Sequence, residues 1–284
     1  MVFLNGEFVE EEKAQVSIFD RGFLYGDGLF ETLRVVAGRP FRWKQHGERF
    51  EHGADFLNIR LPFDREAQRR VANELLERNG VKEGMLRITL SRGAGPRGYS
   101  VRGAESPTFA MTVQAAPRHD GREQSNLRLV QSSVRIPTQT PWSAFKTANR
   151  LPQILARTQA DGAGVDEALV LNERGEVVEA TAANLFWIED DTLCTPSLES
   201  GALPGITRGI VLELARNLKI PAREASAQRE RLLAAEGIFL TNSGAGIVDA
   251  AELDAVPLRS SPWIARLQAA YADLVESEGR SLSD

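Results

Sequence analysis

Cysteine is almost missing from this 284-residue chain. Cys194 stands alone, which excludes an internal disulfide and any cysteine-built metal cluster. Histidine is nearly as scarce. His46, His52 and His119 are the full set, and no H-E-x-x-H pattern occurs, so a histidine-based zinc site has no support. No apolar run reaches the roughly 20 residues of a membrane span. The opening "MVFLNGEFVEEEK" has neither a basic start nor an apolar core, so no secretory leader is expected. A surplus of positive charge is also lacking. The formal net charge is −5, arginines alternate with glutamates, and no basic stripe offers itself to nucleic acid. The expectation is a globular, cytoplasmic protein with no membrane or nucleic-acid partner.

Lysine is the most informative shortage. Of 34 basic residues only five are lysine: Lys13, Lys44, Lys82, Lys146 and Lys219. Lys13 follows three glutamates, Lys44 precedes a polar helix, and Lys82 and Lys219 sit in turn-like stretches. Those four read as solvated. Lys146 alone follows apolar residues, in "PWSAFK". Desolvation there would lower its pKa and free the amine as a nucleophile. The competing reading is a stem packed on the core with its head in water. The residues alone leave both open.

The rest of the chain has ordinary globular composition, 42% hydrophobic and 26% charged. Asn5-Gly6 marks a hairpin. "LFETLRVVAGRPFRW" reads as two strands turning at 37–39, and "KQHGERFEHGADFL" as a helix with Phe50, Ala54 and Leu57 on one side. A second helix runs from its N-cap Asp64 to Asn79. "RHDGREQSN" is the best linker candidate. Strands follow in "LRLVQSSVRI", "EALVLN", "EVVEATAANLFWIED" and "TLCTPS", with turns at 173–175 and 190–191. Helices follow Lys146, open at Gly205, and close the chain from about Pro262. This predicts a mixed α/β (α+β) fold in two domains, 1–117 and 127–284, joined by a linker at 118–126, with a cleft between them.

Several motifs carry candidate chemistry. Gly93, Gly95 and Gly98 match G-x-G-x-x-G, but no helix is expected after them, so a dinucleotide fold is not. The same loop can present Arg97 and Tyr99, and arginine suits a carboxylate. In "GALPGITRG" the start of a helix at Ile206 and Thr207 forms an anion site or a plain helix entry. "FLTNSGAG" ends a strand in Asn242, Ser243 and glycines, a phosphate cradle or a turn. His46 and Arg49 share a helix face; Arg49 binds a dianion, or the pair is a solvated basic face. Glu179 points inward if Val177, Glu179 and Thr181 share a strand face, and a buried carboxylate needs a partner.

Together these pieces ask for a ligand with an aldehyde, a phosphate and a ring nitrogen, namely pyridoxal 5′-phosphate (PLP). In order and over nearly the whole chain, "DRGFLYGDGLFETLRV", "HGERF", "SRGAGPRGYS", "FKTANRLPQIL", "DEALVLNERGEVVEATAANLFW", "ALPGITRG" and "LTNSG" resemble the class-IV aminotransferase family, the fold-type IV PLP enzymes. The resemblance implies a two-domain homodimer with PLP in the interdomain cleft and shared active sites. It implies that Lys146 carries PLP and Glu179 pairs with the pyridine nitrogen. Arg49, Ile206, Thr207, Ser243 and Asn242 would take the phosphate, and Leu203 would pack on the ring. Arg97, acting across the interface, would hold a substrate carboxylate, and Tyr99, Phe30 and Thr32 would line the pocket. The loop through Tyr99, Asn242, "NRLPQIL" and "ANLFW" resemble the lyases that convert 4-amino-4-deoxychorismate to 4-aminobenzoate and pyruvate for folate synthesis. "ALPGITR" and the proline–arginine pair are transaminase-like. The expectation is the lyase, with a transaminase of D-amino acids or branched-chain L-amino acids as the alternative.

Overall fold

The structure is a computed structural model that describes residues 1–116 and 126–280. The expected linker, apart from residue 126, and His119 lie outside the described residues. The described residues fall into two units. One holds residues 1–116, 145–149 and 275–280; the other holds 126–144 and 150–274.

The first unit contains β1 (Val2–Leu4), β2 (Glu7–Val9), α1 (Arg21–Tyr25), β3 (Gly28–Val36), β4 (Arg39–Pro40), α2 (Trp43–Leu57), α3 (Arg65–Arg78), β5 (Gly84–Ser91) and β6 (Thr108–Ala115). Its sheet is antiparallel, in the order β2-β1-β6-β5-β3-β4. The Asn5-Gly6 turn has positive φ at both residues (49° and 105°), the geometry that two-residue hairpins favour. Strands β3 and β5 pair from Gly28↔Ser91 to Val35↔Gly84. Alternation along β3 buries Leu29, Leu33 and Val35 with Phe50, Leu75 and Phe109 and turns Phe30 and Thr32 to the other, half-buried face. Asp64 caps α3 by accepting from Ala67 N at 2.7 Å. Phe50, 1% exposed, pins α2 to the core; truncation to alanine costs about 3–5 kcal/mol.

The second unit contains β7 (Leu127–Ile136), α4 (Leu151–Ala163), β8 (Glu167–Asn172), β9 (Val177–Ala180), β10 (Asn184–Glu189), β11 (Thr192–Thr195), α5 (Ile206–Asn217), β12 (Ala222–Glu224), α6 (Arg229–Ala234), β13 (Gly237–Asn242), β14 (Gly246–Leu253), β15 (Val256–Pro257) and most of α7 (Pro262–Arg280). Its sheet runs β12-β11-β10-β13-β14-β7-β8-β9, and β9 also meets β10. The path therefore closes on itself at the pair Asn184↔Glu179. Asp190 and Asp191 turn with φ of 49° and 53°. One expectation fails here. "EVVEATAANLFWIED" is not one run: β9 stops at Ala180, and Thr181 lies beyond it, its hydroxyl donating to Glu167. Thr181 thus shares no strand face with Glu179.

Candidate active site

Lys146 belongs to the first unit, although most of the chain after it belongs to the second. The reason is local. Phe30 N donates to Lys146 O at 3.0 Å, Ala148 N donates to Gly28 O at 2.8 Å, and Thr147 bridges Leu29. The Phe145 ring stacks on Phe56 at 4.7 Å. Asn149 Nδ2 donates to Gly26 O at 3.0 Å. Close approach also needs Gly28, where a Cβ would lie 2.3 Å from Leu90 O. Fixed in this way, the Lys146 Nζ stands 4.7 Å from the centroid of Phe30. Lys13, Lys44, Lys82 and Lys219 are all exposed, while Lys146 is half-buried. The apolar lead-in is not what covers it. Trp142 is 53% exposed and Ala144 is exposed; the Phe30 ring supplies the apolar surface.

The sequence reading missed Arg87. Its guanidinium lies 3.9 Å from the same Phe30 centroid, and it stands opposite Thr32 in the β3–β5 register. Arg87 has no ion-pair partner among the described residues. Strand alternation could have found it, since Phe30, Thr32, Arg87 and Thr89 share one sheet face.

Arg49 and His46 do not form a solvated basic face. Both meet Glu31, which is 1% exposed. Arg49 donates from Nε and Nη2 to its two oxygens at 2.7 Å each. His46 Nδ1 lies 2.6 Å from Oε2, and because an ionised carboxylate only accepts, Nδ1 carries the hydrogen. Burial opposes the charge on Glu31, but the His46 and Arg49 hydrogen bonds and the Arg49 charge outweigh it and bring its pKa down to about 2. Burial lowers the pKa of His46, against the pull of Glu31. Glu31 thus fixes the rotamer of Arg49.

In the second unit, Glu179 is 8% exposed. Leu203 N donates to Glu179 Oε2 at 3.1 Å and Asn184 Nδ2 approaches it at 3.4 Å. Asn184 also donates to Leu203 O at 2.8 Å, so one side chain ties the carboxylate to the segment before α5. That helix begins at Gly205 without a side-chain cap, and its first N–H groups, at Ile206 and Thr207, open toward an anion. Thr207 is 4% exposed. The backbone of Gly205 presses so closely on Asn184 that a Cβ would meet Oδ1 at 1.9 Å. Thr241, near the end of β13 and opposite Asn184, is buried with no partner for its hydroxyl among the described residues. Ser243 is half-buried just after it. Asn242 Oδ1 accepts from Gly244 N (3.0 Å) and Ala245 N (2.8 Å), closing its own turn.

The first unit thus brings Lys146 together with Phe30, and Arg49 with the neighbouring Glu31. The second brings Glu179 together with Leu203 and the α5 start. Arg97 and Tyr99 are exposed on the loop between β5 and β6, Tyr99 at 88%, and no helix follows the Gly93–Gly98 pattern.

In the second unit, the helix start without a side-chain cap and the buried Thr241 hydroxyl, unpartnered among the described residues, suit a phosphate, and in the first unit the half-buried Lys146 amine suits an aldehyde, the two groups that PLP carries. The chain belongs to the class IV aminotransferase family, whose model matches residues 28–253. Its cofactor is PLP and its substrates are small amino compounds. It is 37% identical to a putative branched-chain-amino-acid aminotransferase of Methanocaldococcus jannaschii, over 89% of this chain and 88% of the relative. It is 31% identical to the aminodeoxychorismate lyase of Bacillus subtilis, over 90% and 87%. The branched-chain aminotransferase of the thermophilic archaeon Thermoproteus uzoniensis, solved with norvaline, superposes with a TM-score of 0.91 at 30% identity, covering 98% of this chain and 95% of that one.

Proposed function

We propose that this enzyme is a transaminase that moves an amino group between an apolar α-amino acid and a dicarboxylic 2-oxo acid. The observation that carries the reading is Arg87 lying on Phe30 beside Lys146. A transaminase must admit two unlike substrates at one place. An aromatic face serves the apolar side chain, and a guanidinium over it serves the second carboxylate of the dicarboxylic partner. The similarity to the M. jannaschii branched-chain relative supports the same reading. The Asn242 Oδ1 closes its own turn, accepting from Gly244 N and Ala245 N.

PLP supplies the aldehyde that captures the amino group and the electron sink that stabilises the carbanion. In this proposal the amine of Lys146 carries the cofactor and then moves the substrate proton. Glu179, oriented by the Leu203 amide, hydrogen-bonds the ring nitrogen and keeps it protonated. Arg49 takes the phosphate with the α5 N–H groups, Thr207 and Ser243, and Leu203 covers the ring. Arg97 and Tyr99 meet the substrate carboxylate. The assembly is a homodimer. Ile18, Phe19 and Phe23, 68%, 52% and 74% exposed, form an apolar surface that suits a second copy.

The second reading is the 4-amino-4-deoxychorismate lyase of folate synthesis, favoured by the loop "SRGAGPRGYS" and supported by the B. subtilis relative. The purified holoenzyme is offered L-leucine with 2-oxoglutarate, D-alanine with 2-oxoglutarate, and 4-amino-4-deoxychorismate. Glutamate formed fastest from the first pair is the expected result. Pyruvate and 4-aminobenzoate from the third, with no amino exchange in the others, would establish the lyase instead.

A further inference from the structure

We infer that Arg21 is a positioning residue that latches the loop bearing Arg97 and Tyr99, and so sets how tightly a substrate carboxylate is held. The loop joins β5 to β6 and carries no helix or strand of its own. A connection of that length needs internal anchors to stay in one conformation. Its stem is closed by glycines. A Cβ on Gly93 would lie 1.8 Å from Ser106 O, and one on Gly95 would lie 2.6 Å from the Cβ of Ala104. The two arms therefore run flush.

The tip is held differently. Arg21 Nη1 donates to Gly98 O at 2.9 Å and Ser100 O at 3.1 Å, and Nη2 donates to Tyr99 O at 3.3 Å. Three consecutive carbonyls thus converge on one guanidinium. Gly98 N donates to the Tyr25 hydroxyl at 3.3 Å. With its carbonyls drawn in, the tip leaves the side chains of Arg97 and Tyr99 exposed. Arg21 itself is 3% exposed, and its Nε donates to Asp27 at 2.8 Å. Asp27 also accepts from Arg92, which in turn donates to Leu57 O and Asn58 O at the end of α2. A continuous chain of charge-assisted hydrogen bonds therefore links the helix that carries Arg49 to the loop that carries Arg97. The planar fork of arginine gives one edge to the carboxylate and the other to the carbonyls, which an ammonium cannot reproduce. A preorganised loop lowers the cost of binding. Its loss acts on KM far more than on kcat, because the carboxylate is held alike before and during the reaction.

The inference rests on the proposed substrate role of the loop, and the test separates the two. Arg21→Gln and Arg21→Lys are compared with Arg97→Ala in the holoenzyme, by steady-state kinetics and amide hydrogen exchange. Arg21→Gln is expected to raise KM for the carboxylate substrate about tenfold with kcat within about twofold. Arg21→Lys should fall short of wild type in the same direction, and it carries the test if the glutamine variant does not fold. Exchange at residues 98–101 should quicken in both, while α5 and β13 and the cofactor absorbance stay unchanged. Unchanged KM and unchanged loop exchange would overturn the latch. So would a parallel fall in kcat, cofactor occupancy and Tm, which marks a purely structural arginine. If Arg97→Ala leaves every KM unchanged, the substrate role of the loop falls and the kinetic half of the inference with it. If Arg97→Ala raises KM and the Arg21 variants do not, only the latch falls.

Discussion

Glu31 and Glu179 are both buried carboxylates on strands, one in each unit, and one is reached by cationic donors and the other by a backbone amide. Glu31 receives two guanidinium N–H groups and an imidazole. Glu179 receives the Leu203 amide N–H and a long contact from Asn184. Cationic donors neutralise a carboxylate and make it a bracket, here for Arg49. Amide donors orient a carboxylate without cancelling its charge. The His46 and Arg49 contacts make Glu31 a holder of another residue, and the Leu203 amide orients Glu179 for the ring nitrogen that the proposed function gives it.

The contrast can be broken by substitution. The largest effect belongs to the lysine proposed to carry the cofactor: Lys146→Ala should lower turnover by about 10³-fold or more, while Lys219→Ala leaves it unchanged in the same assay. Glu179→Gln should cost about 100-fold in kcat, the worth of one charge-assisted hydrogen bond in the transition state, with little change in the unfolding midpoint. Glu31→Gln should do the reverse. It should lower stability in denaturant by about 3–5 kcal/mol, as for other broken buried pairs, and weaken PLP binding while kcat at saturating cofactor stays near wild type. A kcat loss in Glu31→Gln equal to that of Glu179→Gln would erase the distinction.

Acid sharpens the same point. The carboxyl of Glu31 falls from its ordinary 4.5 to about 2 in the fold, so the unfolded chain takes up the proton first. Its contribution is present above about pH 4.5 and is lost as pH falls toward 2, about 3 kcal/mol in all. His46, also lowered, adds loss in the same direction below its ordinary 6.5. Unfolding free energy measured between pH 7 and 3 should drop more gently in Glu31→Gln than in wild type. The smallest effect is expected for Asn242→Ala, about 1 kcal/mol of stability from the lost turn bonds and no change in the ratio of amino exchange to aromatic product.

Much of the fold could be read from local chemistry. The Asn5-Gly6 hairpin, the Asp64 cap and the helical stripe through Phe50 and Ala54 are decided by neighbours in sequence, and the structure shows each of them. The sequence reading failed where partners lie far apart in the chain. "EVVEATAANLFWIED" has strand composition throughout, yet the Glu167 carboxylate, 14 residues from Thr181, takes its amide and hydroxyl and ends β9. The apolar residues before Lys146 suggest its surroundings, but those come from β3, more than 100 positions away. Arg87 and Arg21 looked like ordinary arginines because their meaning lies in strand register and in loop carbonyls. The order of motifs over nearly the whole chain, which carries the family resemblance, holds information that local propensity does not.

One lysine of five is proposed to carry the cofactor, and chemical reduction shows which. The holoenzyme is treated with borohydride, digested and sequenced by mass spectrometry. A single pyridoxyl phosphate adduct is expected, on the peptide containing Lys146. An adduct on Lys13, Lys44, Lys82 or Lys219, or no adduct on cofactor-loaded protein, would contradict it.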